Sequence, residues 1–217
     1  MNVKREQLLL YAVTDRKCIG DRALLNCIRE ALEGGVTILQ LREKSMSTEE
    51  LTEEAYKVKK LCSEFGVPLI INDDYRAAID SGADGVHVGI EDAAASEIRS
   101  AAGGSFIIGA TAKTPEQALK ACSEGADYLG VGAVFPSPTK TNAIRITTTQ
   151  LHDICRSVDI PSVAIGGITE RNLSGLAGGG MAGIAVVSSL FGAKDIRLAA
   201  QNLRNAVSYL IKGGSEI

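Results

Sequence analysis

The chain has 217 residues, of which 45% are hydrophobic and 23% charged, and its formal net charge at pH 7 is -3. A chain of this length can bury one sizeable core, and no Pro/Ser-rich linker divides it, so we expect a single domain over residues 1–217. The small net charge argues against nucleic acid or an anionic membrane surface as the main partner.

The first residues lack the features of a targeting segment. The apolar run 8–13 is too short for a signal-peptide core, and no segment approaches transmembrane length. The five cysteines are odd in number and have no Cys-x-x-Cys spacing, which fits reduced thiols. We therefore expect a cytoplasmic protein. The sequence leaves the oligomeric state open, and a homo-oligomer is compatible with it.

Short apolar runs alternate with helix-like stretches along the chain, which is typical of parallel strands joined by helices. The runs are rich in Val, Ile and Leu, as strands buried on both faces require. The predicted strands are residues 8–13, 36–41, 68–71, 85–88, 106–108, 128–131, 162–165 and 183–187. Helical spacing is clearest over 48–65 and 114–124. At the start of the first of these segments, Ser47 or Thr48 is a predicted N-cap ahead of two acidic residues.

Glycines recur just before predicted strands, at 34–35, 82, 125 and 179–180. Glycine relieves the left-handed backbone at a helix C-terminus, so this weak repeat indicates helix-to-strand turns of one pattern. About eight such units predict an α/β fold, a single-domain (β/α)8 TIM barrel. The alternative is an open doubly wound sheet, but no predicted strand is followed by a glycine-rich dinucleotide fingerprint.

In a TIM barrel, the loops that follow the strands meet at one face, so polar residues far apart in sequence share one site. The loop after the sixth predicted strand indicates anion binding, because hydroxyls and a lysine stand together on a proline-stiffened backbone. Its residues are Pro136, Ser137, Pro138, Thr139 and Lys140.

Arg42 and Lys44 alternate at the end of the second predicted strand, which directs both cations the same way, and Gln40 lies deeper. This arrangement favours an anion bound by both cationic side chains. The alternative is a solvated strand end in which Glu43 is the local partner of its basic neighbours.

Asp73 and Asp92 follow adjacent predicted strands, so both carboxylates can approach one point. Two carboxylates without histidine or thiolate suit Mg²⁺ shared with substrate phosphates and water. The alternative is helix capping, which is the preferred interpretation for Asp74 and Glu91.

A second anion site is predicted where the last two strands end, at Gly166-Gly167 and at Val187-Ser188-Ser189. Barrels often bind a phosphate there through backbone N–H groups, although turn glycines and serine N-caps would look the same. His87 and His152 are the only histidines, so paired imidazole catalysis is not expected, and His87 is interpreted as a barrel residue. No serine elbow or activated cysteine is evident.

In their order along the chain, these motifs resemble those of the thiamine phosphate synthase family. They are YAVTDR at 11–16, LQLREK at 39–44, IIND at 70–73, GADGVHVG at 82–89, ED at 91–92, GVG at 130–132, FPSPTK at 135–140 and AIGGI at 164–168. The resemblance implies a transferase of thiamine biosynthesis that acts on two small molecules. It would join 4-amino-2-methyl-5-hydroxymethylpyrimidine diphosphate to 4-methyl-5-(2-hydroxyethyl)thiazole phosphate, giving thiamine phosphate and diphosphate. In that reaction Mg²⁺ assists departure of the diphosphate, and the thiazole nitrogen captures the pyrimidine cation.

The resemblance also implies a role for each matching residue. Arg42, Lys44 and Lys140 would be the catalytic cations. The pyrimidine diphosphate would contact Gln40, Leu41, Arg42, Glu43, Lys44, Asn72, Thr111 and Lys140. The thiazole phosphate would contact Ser137, Pro138, Thr139, Gly167, Val187 and Ser188. Asp73 and Asp92 would ligate Mg²⁺.

Three other functions remain open at the level of sequence. A related thiazole tautomerase would bind thiazole phosphate without coupling it, and the presence of Asp73, Asp92 and Lys140 argues against this interpretation. A non-enzymatic barrel that binds thiamine precursors would show binding without turnover. A sugar-phosphate isomerase would need an acid/base pair beside one phosphate, but neither a metal nor a second anion site.

Overall fold

The computed structural model describes residues 2–137 and 144–213. Eight parallel strands close into a barrel in chain order, and the first strand pairs with both the second and the eighth. The strands are β1 Leu10–Val13, β2 Ile38–Leu41, β3 Leu69–Asn72, β4 Gly85–Val88, β5 Ile107–Ala112, β6 Tyr128–Gly132, β7 Ser162–Ile165 and β8 Gly183–Val186. The predicted TIM barrel is therefore confirmed, and the open-sheet alternative is wrong.

Helices surround the barrel between the strands. They are α1 Arg16–Ile19, α2 Leu24–Glu33, α3 Thr48–Glu64, α4 Tyr75–Asp80, α5 Ala95–Ala102, α6 Pro115–Ser123, α7 Thr148–Arg156, α8 Ser188–Phe191 and α9 Ile196–Ile211, with 3-10 helices at Arg5–Leu8 and Leu173–Leu176. The residues that the structure describes include no helix of the length and apolarity needed to cross a membrane.

Three strand predictions miss an end by two residues or more, and the second strand begins at Ile38 rather than at residue 36. The first strand begins at Leu10 rather than at residue 8, because Arg5–Leu8 forms a 3-10 helix that buries Leu8. The fifth strand extends to Ala112, well beyond the predicted 106–108, and pairs with β4 and β6. Its second half contains glycine and threonine, which interrupt the apolar run although the backbone continues as a strand.

The helix ends follow the predicted local chemistry. Ser47 caps α3 in a capping box with Glu50, so each side chain accepts a backbone N–H of the other. The Thr114 side chain likewise caps the start of α6. Gly35 and Gly125, which lie between a helix and the next strand, have φ of 98° and 96°, a backbone region that favours glycine.

Buried side chains form two layers. A larger layer lies between the sheet and the helices, and a smaller layer fills the barrel around Tyr11, Ile38, Ile70 and Tyr128. Because side chains alternate across a strand, residues two positions after these inward-facing ones also face inward. This register places Gln40 and Asn72 inside the barrel near the carboxyl ends of their strands.

Candidate active site

A chain of hydrogen bonds crosses the barrel below its carboxyl-terminal mouth. Gln40 Nε2 donates to the Tyr11 hydroxyl at 2.8 Å, and that hydroxyl lies 2.7 Å from the Tyr128 hydroxyl. The Tyr128 hydroxyl lies 3.1 Å from His87 Nδ1, and His87 Nε2 lies 3.1 Å from Thr111 Oγ1. Two residues predicted to meet the pyrimidine, Gln40 and Thr111, are thus the ends of one buried chain.

Glycines make room for the middle of this chain. A Cβ at Gly109 would overlap the Tyr128 ring and hydroxyl, and one at Gly130 would lie 2.9 Å from His87 Cε1. Such contacts are closer than side chains tolerate, so the aromatic residues need glycine on the neighbouring strands. The interruption of the β5 apolar run is therefore part of how the site is built.

Burial controls the ionisation of the chain's members. Desolvation lowers the pKa of His87 to about 4, with a smaller opposing effect of the Asp92 carboxylate. Desolvation raises the pKa of both Tyr11 and Tyr128 above the ordinary value for a phenol. At neutral pH the hydrogen-bond chain consequently contains a neutral imidazole and two neutral phenols.

Arg42 and Glu43 point to different partners at the end of β2. Arg42 Nη1 donates to Asp15 Oδ2 at 2.9 Å, while the Arg42 backbone N–H donates to Thr14 Oγ1. Asp15 also caps α1 by accepting backbone N–H groups. Glu43 is 4% exposed and accepts from Arg16 Nε at 2.7 Å. Glu43 is therefore paired with the first residue of α1 rather than with its basic neighbours.

The contribution of Leu41 is confined to its backbone. Its side chain is fully buried in the layer between the sheet and the helices. A contact of Leu41 with a ligand at the mouth would have to involve main-chain atoms. Its prediction as a binding residue remains a prediction with that restriction.

The loops after β2 and β3 bring a cation onto a carboxylate. Lys44 Nζ donates to Asp73 Oδ2 at 2.6 Å, and Asn72 Nδ2 donates to Asp73 Oδ1 at 2.6 Å. Asp73 has φ of 64°, and it is the single non-glycine residue with positive φ in residues 2–137 and 144–213. A strained backbone of this kind persists where the surroundings over-determine it, and such positions concentrate at functional sites.

Asp92 reaches the same place from the loop after β4, where its Oδ2 accepts the Gly89 backbone N–H at 2.7 Å. Burial raises the pKa of Asp73, with Lys44 opposing the rise and the neighbouring Asp92 carboxylate adding to it. Two carboxylates that repel each other at one point favour a divalent cation between them. Asp74 is different, because it caps α4 and accepts a hydrogen bond from Thr48, as predicted.

The described residues include no group of three or more His, Cys, Asp or Glu side chains arranged as a metal site. Two carboxylates alone do not form a closed protein cage. They fit an ion that completes its coordination with phosphate oxygens and water, as Mg²⁺ commonly does.

The loop after β6 packs on the glycine pair after β7. The Phe135 backbone N–H donates to the Gly166 carbonyl at 3.0 Å, and a Cβ at Gly167 would overlap the Pro136 carbonyl oxygen. Gly167 has φ of 61°, and Asn172 Nδ2 donates to its carbonyl. Gly167 is therefore required where the sixth and seventh loops meet. Ser137 is half-buried beside this contact, while Pro138, Thr139 and Lys140 lie outside the described residues.

The end of β8 passes directly into the short helix α8. Val187 and Ser188 are half-buried at this junction, and the hydroxyl of Ser189 is buried without a hydrogen-bond partner in the described part of the chain. Gly167 and Ser188 thus follow the neighbouring strands β7 and β8 at the same end of the barrel.

The sequence motifs assign no role to Tyr11 or Tyr128, and they name no partner for Asp15, which stands in the YAVTDR motif. Tyr11 and Tyr128 lie within predicted strands, and their large polar rings in apolar runs were the available signal. Asp15 caps α1 in the structure, and its contact with Arg42 depends on the spatial adjacency of β1 and β2.

Comparison with known proteins gives one family. A family model described as thiamine monophosphate synthase matches residues 10–190. The thiamine-phosphate synthase of Alkaliphilus oremlandii is 44% identical over 198 residues, which are 91% of this chain and 95% of that protein. The thiamine-phosphate synthase of Methanobrevibacter smithii is 45% identical over 196 residues, 90% of this chain and 93% of that protein. A solved thiamine phosphate pyrophosphorylase from Pyrococcus furiosus has a TM-score of 0.88 at 39% identity and covers 95% of this chain and 98% of its own.

Proposed function

The chain belongs to the thiamine monophosphate synthase family and is a thiamine-phosphate-forming transferase, and from that premise we propose how its barrel mouth carries out the reaction. The pyrimidine ring of the diphosphate substrate lies over the chain from Gln40 to Thr111. Its diphosphate lies toward Arg42, Lys44 and Asn72, and Lys140 would be a further cationic partner of it. The thiazole phosphate lies between the sixth, seventh and eighth loops.

The contact between Lys44 and Asp73 is the observation that carries this proposal. A cation and a carboxylate meet at 2.6 Å beside a second carboxylate, Asp92, in the loops that follow β2, β3 and β4. A diphosphate needs positive charge, and a divalent ion bridging to it needs carboxylates. Both requirements are met within one small region.

Asp73 and Asp92 would hold Mg²⁺, which when bound supplies positive charge to the leaving diphosphate. Lys44 and Arg42 neutralise the charge that develops on that group as the bond to the pyrimidine methylene breaks. Gln40 and Thr111 orient the ring so that its methylene faces the thiazole nitrogen. The seventh and eighth loops hold the thiazole phosphate, so that the two reacting atoms meet without a protein nucleophile.

The thiazole-side residues are proposed from loop geometry. Gly167 and Ser188 would offer backbone N–H groups to the phosphate, together with the hydroxyls of Ser137 and Thr139. The fixed contact of Gly167 with Pro136 supports a shared phosphate site between these loops. Val187 and Pro138 would contribute the remaining surface. The protein is proposed to act in the cytoplasm on small molecules, which agrees with its odd number of cysteines.

The test is diphosphate release by the purified protein on mixing both precursors, with and without Mg²⁺. We expect release that needs both precursors and the metal, and that falls at least about 100-fold in Asp73→Asn. The matched control is Asp74→Asn, because asparagine also caps helices and Asp74 faces Thr48 and α4. Release from the pyrimidine diphosphate alone, or equal loss in both variants, would contradict the proposal.

A further inference from the structure

One direction of hydrogen bonding satisfies every donor and acceptor between Gln40 and Thr111. Tyr11 and Tyr128 are 1% and 0% exposed, so each hydroxyl proton needs a protein acceptor. Gln40 Nε2 already donates to the Tyr11 hydroxyl. Among the described residues, the hydrogen-bonding neighbour left for the Tyr11 hydroxyl proton is the Tyr128 hydroxyl.

The direction continues through the rest of the chain. Because the Tyr128 hydroxyl accepts from Tyr11, its own proton goes to His87 Nδ1 at 3.1 Å. A neutral imidazole carries one N–H, so the proton lies on Nε2 and is donated to Thr111 Oγ1. Because Nδ1 accepts the Tyr128 proton, it carries none of its own, which is the neutral form of the ring. The opposite direction would require the Gln40 amide to turn its oxygen, rather than its N–H, toward the Tyr11 hydroxyl.

The two ends of the chain therefore present different chemistry to the mouth. The Gln40 amide uses its N–H on Tyr11, which leaves the carbonyl oxygen Oε1 as a hydrogen-bond acceptor. Thr111 accepts from His87, which leaves its hydroxyl proton as a donor, and Thr111 is partly exposed. Reversing one end would require every bond between Gln40 and Thr111 to reverse.

We propose that this fixed polarity is a specificity device, in which His87, Tyr128 and Tyr11 act as positioning residues that select an amino-substituted ring. An aminopyrimidine offers an N–H donor to Gln40 Oε1 and a ring-nitrogen acceptor to the Thr111 hydroxyl. A 4-oxo ring places a carbonyl against Gln40 Oε1 and turns a neighbouring ring nitrogen into a donor. The proposal rests on the function proposed above, and it adds the reason why the site selects an aminopyrimidine over a 4-oxo pyrimidine.

The direct test is the tautomer of His87 in the full-length protein, read from long-range proton–nitrogen correlations of ¹⁵N-histidine-labelled protein. The chain has two histidines, so a His152→Gln variant assigns the signals. We expect Nε2–H at neutral pH. A proton on Nδ1, or on both nitrogens, would overturn the proposal whether or not the protein makes thiamine phosphate.

The kinetic test compares kcat/KM for the 4-amino and 4-oxo pyrimidine diphosphates. We expect the wild type to prefer the amino compound by about 100-fold or more, and Tyr128→Phe to reduce that ratio about 10-fold while the KM for thiazole phosphate stays unchanged. Tyr75→Phe removes a hydroxyl that contacts Glu97 outside the barrel and should keep the wild-type ratio. An unchanged ratio in Tyr128→Phe would overturn the proposal.

A second pair of variants covers the case in which Tyr128→Phe does not fold. Thr111→Ser keeps the donor and should keep the preference, whereas Thr111→Val should lose it. Equal ratios in this pair would count against a fixed polarity. Absence of diphosphate release by the wild type with either ring would refute the proposed function, and the His87 tautomer would then decide the polarity by itself.

Discussion

Lys44 Nζ lies 2.6 Å from Asp73 Oδ2, so a proposed diphosphate-binding cation is paired with a proposed metal ligand. The lysine is 55% exposed and the aspartate 31% exposed, which leaves the pair accessible at the mouth. An ion that binds Asp73 competes with the lysine for the same oxygen. Binding of metal would therefore release Lys44, and the diphosphate is the anion that is present to receive it.

Removing the charge of Lys44 is expected to tighten metal binding while slowing the reaction. In Lys44→Met, Asp73 loses its competing cation, so the Kd for Mg²⁺ in the absence of substrates should fall about 5–10-fold. Turnover should fall because the diphosphate loses a partner. Isothermal calorimetry with Mg²⁺ alone measures the first effect. Lys113→Met is the control, since Lys113 follows β5 on another part of the mouth, and a similar gain in affinity there would contradict the competition.

Asp73→Asn is expected to stabilise the metal-free protein. The pKa of Asp73 is raised chiefly by burial, so the folded state holds its proton more strongly than the unfolded state does. Its carboxylate consequently reduces stability as pH rises from the unfolded pKa through the raised folded pKa, and the loss is complete above the folded pKa. Asparagine removes that loss and tolerates positive φ.

The gain should be about 1 kcal/mol or less, because the side chain is partly exposed. Thermal unfolding in EDTA measures it. Added Mg²⁺ should raise the Tm of the wild type and leave that of Asp73→Asn unchanged. A lower Tm for the variant in EDTA would show that the contacts of Asp73 with Lys44 and Asn72 outweigh the cost of its charge.

The fold was predictable because each βα unit carries its own local signals. Apolar runs marked the strands, Ser47 and Thr114 marked helix starts, and glycine marked helix ends. The extent of β5 was not predictable in this way. Its Gly109 is required by the size of Tyr128 on the adjacent strand β6, and that contact joins residues that are not neighbours in sequence.

The site was predictable where residue type and strand end coincide. Asp73, Asp92 and Lys44 were predicted to lie at one mouth, and they do. The partner of Glu43 was not predicted, because Arg16 begins α1, which follows the neighbouring strand β1. The role of Tyr11 and Tyr128 was missed for a related reason, since the role of a buried phenol depends on the hydrogen-bonding groups that the fold brings next to its hydroxyl.

Gly167→Ala is expected to damage the thiazole side of the site more than backbone strain alone explains. Gly82 is the matched control, because its φ of 70° is similar and a Cβ there would meet nothing within 4 Å. Gly82→Ala should cost about 1–2 kcal/mol of stability and leave the kinetics unchanged.

Gly167→Ala carries the same strain and in addition collides with the Pro136 carbonyl oxygen. It should raise the KM for thiazole phosphate about 10-fold or more, with a smaller effect on the pyrimidine diphosphate. Steady-state kinetics with each substrate varied in turn, together with urea unfolding, separates the two effects. The same KM for thiazole phosphate in both variants would mean that the sixth loop does not depend on this contact.

His87 is expected to make stability fall in mild acid. Burial lowers its pKa in the folded protein to about 4, whereas an unfolded histidine titrates near 6.5. Above a pH of about 6.5, His87 is unprotonated in both the folded and the unfolded protein, so its contribution to the free energy of unfolding is complete. As pH falls from there toward 4, only the unfolded state becomes protonated, so the contribution is progressively lost.

Between pH 7 and pH 5 the loss from this residue should approach about 2 kcal/mol as an upper limit. His87→Asn keeps a polar side chain that does not titrate in this range. Urea unfolding in EDTA at both pH values gives the change for each protein, and subtraction removes the carboxylates they share, including Asp73, whose raised pKa acts in the opposite direction. An equal change in wild type and variant would mean that His87 takes up its proton as readily in the folded protein as in the unfolded chain.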